Sequence, residues 1–151
     1  MAVKPIPDGY HAVMPHLVVD GASKLIVFLQ ESFGAEEAVR IGEETIMHAE
    51  LRLGDSVIML SDASPEFPAR SAMIHIYVPD TDAAYRRAVA AGAKPIREPA
   101  DQFYGDRSAG VEDAFGNYWW IATHVEDIPP EEMERRATEA MRAGHAGSTS
   151  A

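Results

Sequence analysis

Four side chains able to ligate a metal ion or to transfer protons stand in segments with strand-like sequence. They are His16, His48, Glu50 and His75. Two neutral imidazoles and a carboxylate are an acceptable ligand set for zinc, iron or manganese, and the same groups can act as acid and base on a bound substrate. Alternatively, these groups satisfy one another by hydrogen bonds and line a pocket for an apolar or aromatic ligand. The residue types alone leave both interpretations open.

The composition limits this chemistry further. The chain has no cysteine, which excludes disulfide bonds, thiolate catalysis and zinc sites that need sulfur. Its 151 residues carry a formal net charge of −11, which disfavours binding to nucleic acid. No stretch approaches the ~18 apolar residues of a membrane helix, and the first ten residues lack the apolar core of a signal peptide. We therefore expect a cytoplasmic protein that binds neither nucleic acid nor a membrane.

Arg107 is a separate candidate, in a loop that enters a predicted strand near the mouth of the site. Its guanidinium group could clamp a carboxylate or phosphonate group of a ligand in bidentate fashion. Alternatively, Arg107 forms a surface ion pair with Asp106, Glu112 or Asp113. The sequence leaves both roles possible.

The elements that must position these side chains follow from the hydrophobic pattern. Residues 13–19 alternate as a strand, and Asp20 is predicted to cap a helix that ends at Gly34. Three further strands are predicted at 38–41, 45–53 and 56–61. The last two are separated only by Gly54-Asp55, a pair that suits a two-residue hairpin turn with glycine first.

The same order of elements recurs in the second half of the chain, which indicates an internal repeat. A strand at 72–78 is followed by a helix that Asp80 caps and Gly92 ends. Further strands are predicted at 94–97, 107–111 and 118–123. Pro129 and Pro130 then open an amphipathic helix to about residue 144, and the small, polar tail at 145–151 is predicted to be disordered.

Strand parity predicts which side chains share a face, because alternate residues of a strand point to the same side of a sheet. The aliphatic faces, represented by Leu17, Ile76 and Ile121, should lie under the helices. In the predicted hairpin Glu50 pairs with Met59, so both side chains lie on the same face. The mixed faces should line a groove that contains Met14, His16, His48, Glu50, Met59, Met73, His75, Tyr77, Tyr118 and Trp120.

The tandem βαβββ repeat, with LVVDGASKLIVFLQESFGAEE in the first half and VEDAFGNYWWIATHVED in the second, resembles the vicinal oxygen chelate superfamily of glyoxalases, bleomycin-resistance proteins and dioxygenases. The strings IMHAELRLGDSVIML and DQFYGDRSAGVEDAFGNYWWIATHVED look more like its PhnB-like branch. The resemblance implies an α+β fold, with modules at about 10–62 and 70–125 forming an open, barrel-like curved sheet. We expect a domain at 1–128, a C-terminal helix at 129–144 and a homodimer.

The resemblance also implies where a metal ion would bind. In metal-dependent members, His, Glu or Gln ligands come from the first and last strand of each module. The matching positions here hold Met14, Met59, Met73 and Trp120. Thioethers are soft ligands and indole is not a ligand, so the usual metal site should be absent. These side chains could form an adaptable sleeve for flat ligands, or they could simply fill a collapsed groove.

Three functions remain as hypotheses. The leading one is a protein without a cofactor that binds a small aromatic or amphipathic molecule, as bleomycin-resistance proteins do. The second is a lyase, isomerase or dioxygenase that uses a divalent metal ion held by His16, Glu50 and His75, displaced from the usual site. The third is an interaction module without a ligand. The sequence decides neither the ligand nor whether the protein is an enzyme.

Overall fold

The computed structural model describes residues 2–148. Its elements confirm the predicted order of two strand-helix-strand-strand-strand copies followed by a helix. They are β1 (His16–Val19), α1 (Ala22–Phe33), β2 (Glu36–Ile41), β3 (His48–Leu53), β4 (Ser56–Asp62), β5 (Met73–Tyr77), α2 (Thr81–Ala90), β6 (Lys94–Asp101), β7 (Asp106–Glu112), β8 (Tyr118–His124) and α3 (Pro130–Ser148).

Each module has a four-stranded mixed sheet of its own, and the predicted α+β class is confirmed. The strand orders are β1-β4-β3-β2 and β5-β8-β7-β6, and neither sheet closes into a barrel. In both, the first strand pairs in parallel with the last, and the other pairs are antiparallel. The modules meet where α1 packs against α2. There the Phe33 and Trp119 rings lie 5.4 Å apart, and Arg87 Nε donates to the Ser32 carbonyl at 3.2 Å.

The predicted alternation is confirmed on the buried side of the sheets. Leu17, Val19, Trp119 and Ile121 are buried beneath the helices, so their neighbours in sequence must face the opposite side. The predicted register of the β3–β4 hairpin is also confirmed, with Glu50 opposite Met59. Gly54 has a φ of +58°, a conformation that the first position of this turn requires and that other residues rarely adopt.

The predicted cap of α1 is wrong. The N-cap residue is Gly21, and Asp20 makes no capping bond. Instead, Asp62 at the end of β4 accepts the free N–H groups: Oδ1 binds Gly21 N at 3.0 Å and Ala22 N at 2.8 Å. Oδ2 accepts from Ile46 N at 2.7 Å. Burial raises the pKa of Asp62, but these three donors outweigh it and lower the pKa overall.

Several boundaries differ from the predictions, among them those of β1, β6 and α3. The strand β1 begins at His16, because Pro15 has no N–H group for the sheet, so Met14 precedes the strand on which it was expected. The strand β6 continues to Asp101, past two irregularities in its pairing. The helix α3 runs through residue 148, because one glycine at 144 costs only ~1 kcal/mol and does not end a helix rich in good helix formers.

Part of the predicted tail is therefore helical, and residues 149–151 lie outside the described residues. Arg136 joins α3 to the segment after β8 through an ion pair with Glu126 at 2.9 Å.

The predicted cap of α2 is confirmed, since Asp80 accepts from Ala83 N at 3.1 Å. Within residues 2–148, no helix combines the length and apolar character needed to cross a membrane.

Removal of the Asp62 carboxylate should destabilise the protein. In Asp62→Ala, three backbone N–H groups lose their acceptor, and we expect the free energy of unfolding to fall by about 1–3 kcal/mol. Urea denaturation followed by circular dichroism measures this loss. The matched control is Asp20→Ala, which removes an exposed carboxylate without a capping bond and should change stability by less than about 0.5 kcal/mol. Equal losses in both variants would contradict the assignment of Asp62 as the cap.

Candidate functional site

Three neighbouring strands of the first module place His16, Met59 and Glu50 side by side. His16 of β1 pairs with Met59 of β4, and Met59 pairs with Glu50 of β3. The three side chains share the face that α1 does not cover. The three residues were predicted to share a groove, and the pairing of the strands brings them together as one cluster.

Glu50 is the centre of this cluster, although only 8% of it is exposed. Its Oε2 accepts a hydrogen bond from the hydroxyl of Tyr10, and its Oε1 lies 3.2 Å from His48 Nε2. The bond from Tyr10 outweighs burial and lowers the pKa of Glu50, with a further contribution from His48. Because an ionised carboxylate only accepts hydrogen bonds, His48 Nε2 must carry the proton of this bond.

His16 extends the cluster toward the edge of the sheet. Its Nε2 lies 2.9 Å from Ser61 Oγ, and its ring centroid lies 5.9 Å from that of His48. Burial lowers the pKa of His16, and the neighbouring His48 lowers it further. The neutral imidazole is therefore favoured at this position.

The segment before β1 covers part of this face, and together they line an open cavity of about 410 Å³. The cavity contains three of the predicted groove residues, Met14, Glu50 and Met59. Its lining consists of Pro5, Ile6, Pro7, Tyr10, His11, Ala12, Met14, Glu50 and Met59. Tyr10 was not predicted as a site residue, because a tyrosine in an irregular segment carries no signal for a contact with a glutamate 40 residues further along the chain.

In the second module, the equivalent strands form a row of His75, Trp120, Gly110 and Arg97. The indole of Trp120 lies flat over Gly110, where any Cβ atom would collide with the ring. The guanidinium carbon of Arg97 lies 5.4 Å from the centre of the Trp120 ring, an arrangement typical of a cation–π contact. Met73 and Tyr77 are 64% and 61% exposed, and Tyr118 also reaches the surface.

A second polar cluster lies at the far end of this sheet. Asp106 is 3% exposed, and it accepts hydrogen bonds at 2.8 Å from Tyr77 Oη and from His124 Nδ1. His124 Nε2 lies 2.8 Å from Asp127. Burial raises the pKa of Asp106, but the bonds from His124 and Tyr77 outweigh it and lower the pKa overall. The bond with Asp106, followed by that with Asp127, raises the pKa of His124.

Asp106 and His124 were not predicted as a pair, because only the β7–β8 register makes them neighbours. The cluster borders a larger cavity of about 960 Å³ between the two modules. This cavity is lined by residues 53–58, residues 74–79, His11, Val13, Pro15, Trp119, Thr123 and His124. His75 and Tyr77 are the predicted groove residues that line it.

The candidate role of Arg107 as a clamp at the groove needs correction. Its Nε and Nη2 atoms lie 2.6 and 2.9 Å from the two carboxylate oxygens of Asp82, and Nη1 lies 3.2 Å from Asp101. Side chains alternate along β7, so Arg107 points to the face opposite that of Asp106 and Gly110. This is the face that α2 covers. Its partners also differ from the acidic residues expected for a surface ion pair.

The structure does not bring the hypothetical metal ligands together within one chain. His16 and Glu50 belong to the sheet of the first module, and His75 belongs to that of the second. The ring neighbour of His75 is Tyr77, at 4.9 Å. Within residues 2–148, no three His, Asp or Glu side chains are grouped as a metal site would require.

The ionised state of Glu50 should make stability depend on pH. Because its pKa is lower in the folded than in the unfolded chain, Glu50 contributes stability above its unfolded pKa of about 4.3, which is lost as pH falls through the folded pKa. We expect the stability difference between the wild type and Glu50→Gln to be largest near pH 7 and to shrink below pH 4. Urea denaturation at pH 7, 5, 4 and 3 measures it.

The matched control for this experiment is Glu36→Gln, which replaces an exposed carboxylate of β2. Its stability difference from the wild type should stay small across the range. A difference for Glu50→Gln that is the same at every pH would contradict an ionised Glu50 held by Tyr10 and His48.

The chain is similar to known proteins in both sequence and fold. Residues 10–121 match the family model of the Glyoxalase/Bleomycin resistance protein/Dioxygenase superfamily. An uncharacterized protein of Mycobacterium bovis is 34% identical over 136 residues, which cover 82% of this chain and 90% of the relative. An uncharacterized protein of Mycobacterium tuberculosis is also 34% identical over 136 residues, which cover 80% of that relative.

Two solved structures share the fold. TioX from Micromonospora sp. ML1 superposes with a TM-score of 0.65 at 24% identity, covering 76% of this chain and all of TioX. An enzyme of the glyoxalase/bleomycin resistance protein/dioxygenase family from Burkholderia phytofirmans has a TM-score of 0.63 at 21% identity, covering 74% of this chain and 97% of its own. Together with the matched family model, the fold shows that this chain belongs to the Glyoxalase/Bleomycin resistance protein/Dioxygenase superfamily.

Proposed function

We propose that this protein binds a small aromatic or amphipathic organic molecule and does not use a metal ion at the position where metal-dependent members hold one. The cavity beside Glu50 carries this proposal. Met14 and Met59, which occupy two of the positions expected for metal ligands, contribute thioethers to its wall. Thioethers are poor ligands for hard divalent cations but adapt well to the shape of an organic ligand. A volume of about 410 Å³ is sufficient for a small organic molecule.

The second module supplies a complementary surface for the proposed ligand. Trp120 presents an indole on which a flat ring could stack, beside Met73, Tyr77 and Tyr118. Arg97 and His75 border the same ring. These residues replace Arg107 in the proposed site, because Arg107 is engaged by Asp82 and Asp101 on the other face.

We further propose that the protein is a homodimer. The strands β1 and β5 are both at the edge of their sheets, and Met73, Tyr77 and Met141 expose large apolar surfaces. Met73 and Tyr77 share one face of β5, and exposed apolar side chains together on an edge strand favour a contact with another protein. A dimer would also let the two half-sites, which lie on separate sheets, contribute to shared grooves.

Within the superfamily, we assign the chain to the PhnB-like branch on the strings IMHAELRLGDSVIML and DQFYGDRSAGVEDAFGNYWWIATHVED. We propose that the protein is cytoplasmic, because the cytoplasm is a reducing compartment in which disulfide bonds are rare and this chain has no cysteine to form them. No nucleic acid or membrane partner is part of the proposal.

The binding proposal is tested with the neutral fluorophore N-phenyl-1-naphthylamine and with elemental analysis. The fluorophore should bind and brighten in the apolar cavity, and Met59→Trp, which fills the cavity, should weaken its binding at least tenfold. Met47→Trp is the matched control, because Met47 is exposed and does not line the cavity. Protein purified without a chelator should hold metal well below one ion per chain.

Failure of the fluorophore and of charged aromatic molecules of similar size to bind would refute the binding proposal. One equivalent of metal that Glu50→Ala removes would instead support the lyase, isomerase or dioxygenase that uses His16, Glu50 and His75.

The dimer is tested by light scattering coupled to size-exclusion chromatography. We expect a mass twice the 16.5 kDa of one chain, and Met73→Glu should shift the mass toward the monomer because it places a charge in the proposed contact. Val27→Glu changes an exposed apolar residue of α1 and should leave the dimer intact. A monomeric mass for the wild type at micromolar concentration would contradict the proposal.

A further inference from the structure

We infer that the ligand of the cavity beside Glu50 carries a cationic nitrogen, such as a protonated amine, attached to an apolar body. This inference rests on the proposed function and specifies its ligand class. It is drawn from three observations: an unneutralised carboxylate, its free acceptor positions, and the apolar walls around it.

The first observation is that Glu50 lacks a fixed cation. Only 8% of the residue is exposed, and its protein partners are a phenol and an imidazole. Among residues 2–148, no lysine or arginine lies within salt-bridge distance of Glu50, and His48 is its only partner in such a pair. A carboxylate removed from water is costly unless a positive group compensates it. A cationic ligand would supply the missing charge.

The second observation concerns the hydrogen-bonding capacity of the carboxylate. Each oxygen of an ionised carboxylate can accept two hydrogen bonds. The hydroxyl of Tyr10 takes one position at Oε2, and His48 takes one at Oε1. One position therefore remains at each oxygen. An ammonium group, with up to three donors, can occupy these positions while Tyr10 and His48 hold the carboxylate in place.

The third observation is the chemistry of the surrounding walls. Pro7, Ile6, Met14 and Met59 offer an apolar surface to the rest of the ligand. Glu50 is the only residue of the lining with a formal charge when histidine is neutral. An anionic ligand would meet the repulsion of Glu50 without a cation to offset it, and a neutral ligand would leave the charge uncompensated.

The charges just outside the cavity do not change this conclusion. Arg52 shares a strand and a face with Glu50. The bond to Glu50 raises the pKa of Tyr10, and the charge of Arg52 acts to lower it. The guanidinium group of Arg52, however, lies beside Gly9, is not within salt-bridge distance of Glu50 and is not part of the lining. Lys4 is paired with Asp8 at 2.8 Å on the exposed side of the covering segment. The net charge of −11 for the whole chain also favours the approach of a cation over that of an anion.

The test compares three probes that share one apolar body: 4-phenylbutylamine, 4-phenylbutan-1-ol and 4-phenylbutyrate. Isothermal titration calorimetry at pH 7 should show the amine binding at least tenfold more tightly than the alcohol, with the carboxylate weakest. In Glu50→Gln, the affinities for the amine and the alcohol should differ by less than threefold. Glu36→Gln is the control, and it should keep the wild-type order.

The other outcomes distinguish failure of the cationic ligand class from failure of the binding function. If the wild-type protein binds the alcohol as tightly as the amine, or binds N-phenyl-1-naphthylamine but not the amine, the cationic ligand class is wrong and the binding function stands. If neither the fluorophore nor any of the three probes binds, the proposed function itself fails. The comparison of probes on the wild-type protein decides the inference even if Glu50→Gln does not fold.

Discussion

Parallel pairing between the first and the last strand of each module determines which side chains meet on the open faces of the sheets. Such pairing requires a crossover, and here α1 and α2 lie between the strands that pair. Because side chains alternate along a strand, a slip of one residue between β1 and β4 would move His16 off the face it shares with Met59. Asp62 holds the start of α1 against the end of β4, so one carboxylate supports the register on which the site depends.

The two modules show how one scaffold carries different chemistry. By register, His16 corresponds to His75, Met59 to Trp120, Glu50 to Gly110 and Val39 to Arg97. The first module therefore has a carboxylate where the second has no side chain, and the second has a cation where the first has an aliphatic residue. His16 and His75 make the edge strands β1 and β5 similar. The charge of each row is set by its other residues, Glu50 in the first module and Arg97 in the second.

Local patterns were sufficient to predict much of this arrangement. Alternation gave the buried faces, and Gly54-Asp55 gave the hairpin register that puts Glu50 beside Met59. The failures concern contacts between distant parts of the chain. Asp62 replaces Asp20 as the cap although it lies some forty residues away, and Tyr10 reaches Glu50 from an irregular segment. Arg107 was misplaced because its partners, Asp82 of α2 and Asp101 of β6, lie on other elements and give no local signal in the sequence.

The contact between Gly110 and Trp120 has an evolutionary consequence. Because the indole occupies the space of any side chain at position 110, Gly110 cannot acquire a side chain while Trp120 is retained. Homologous sequences with tryptophan at position 120 should therefore keep glycine at position 110, and a lineage that acquires a larger residue at 110 must change Trp120. This linkage provides a sequence marker for those members of the superfamily that present a flat aromatic surface in the second module.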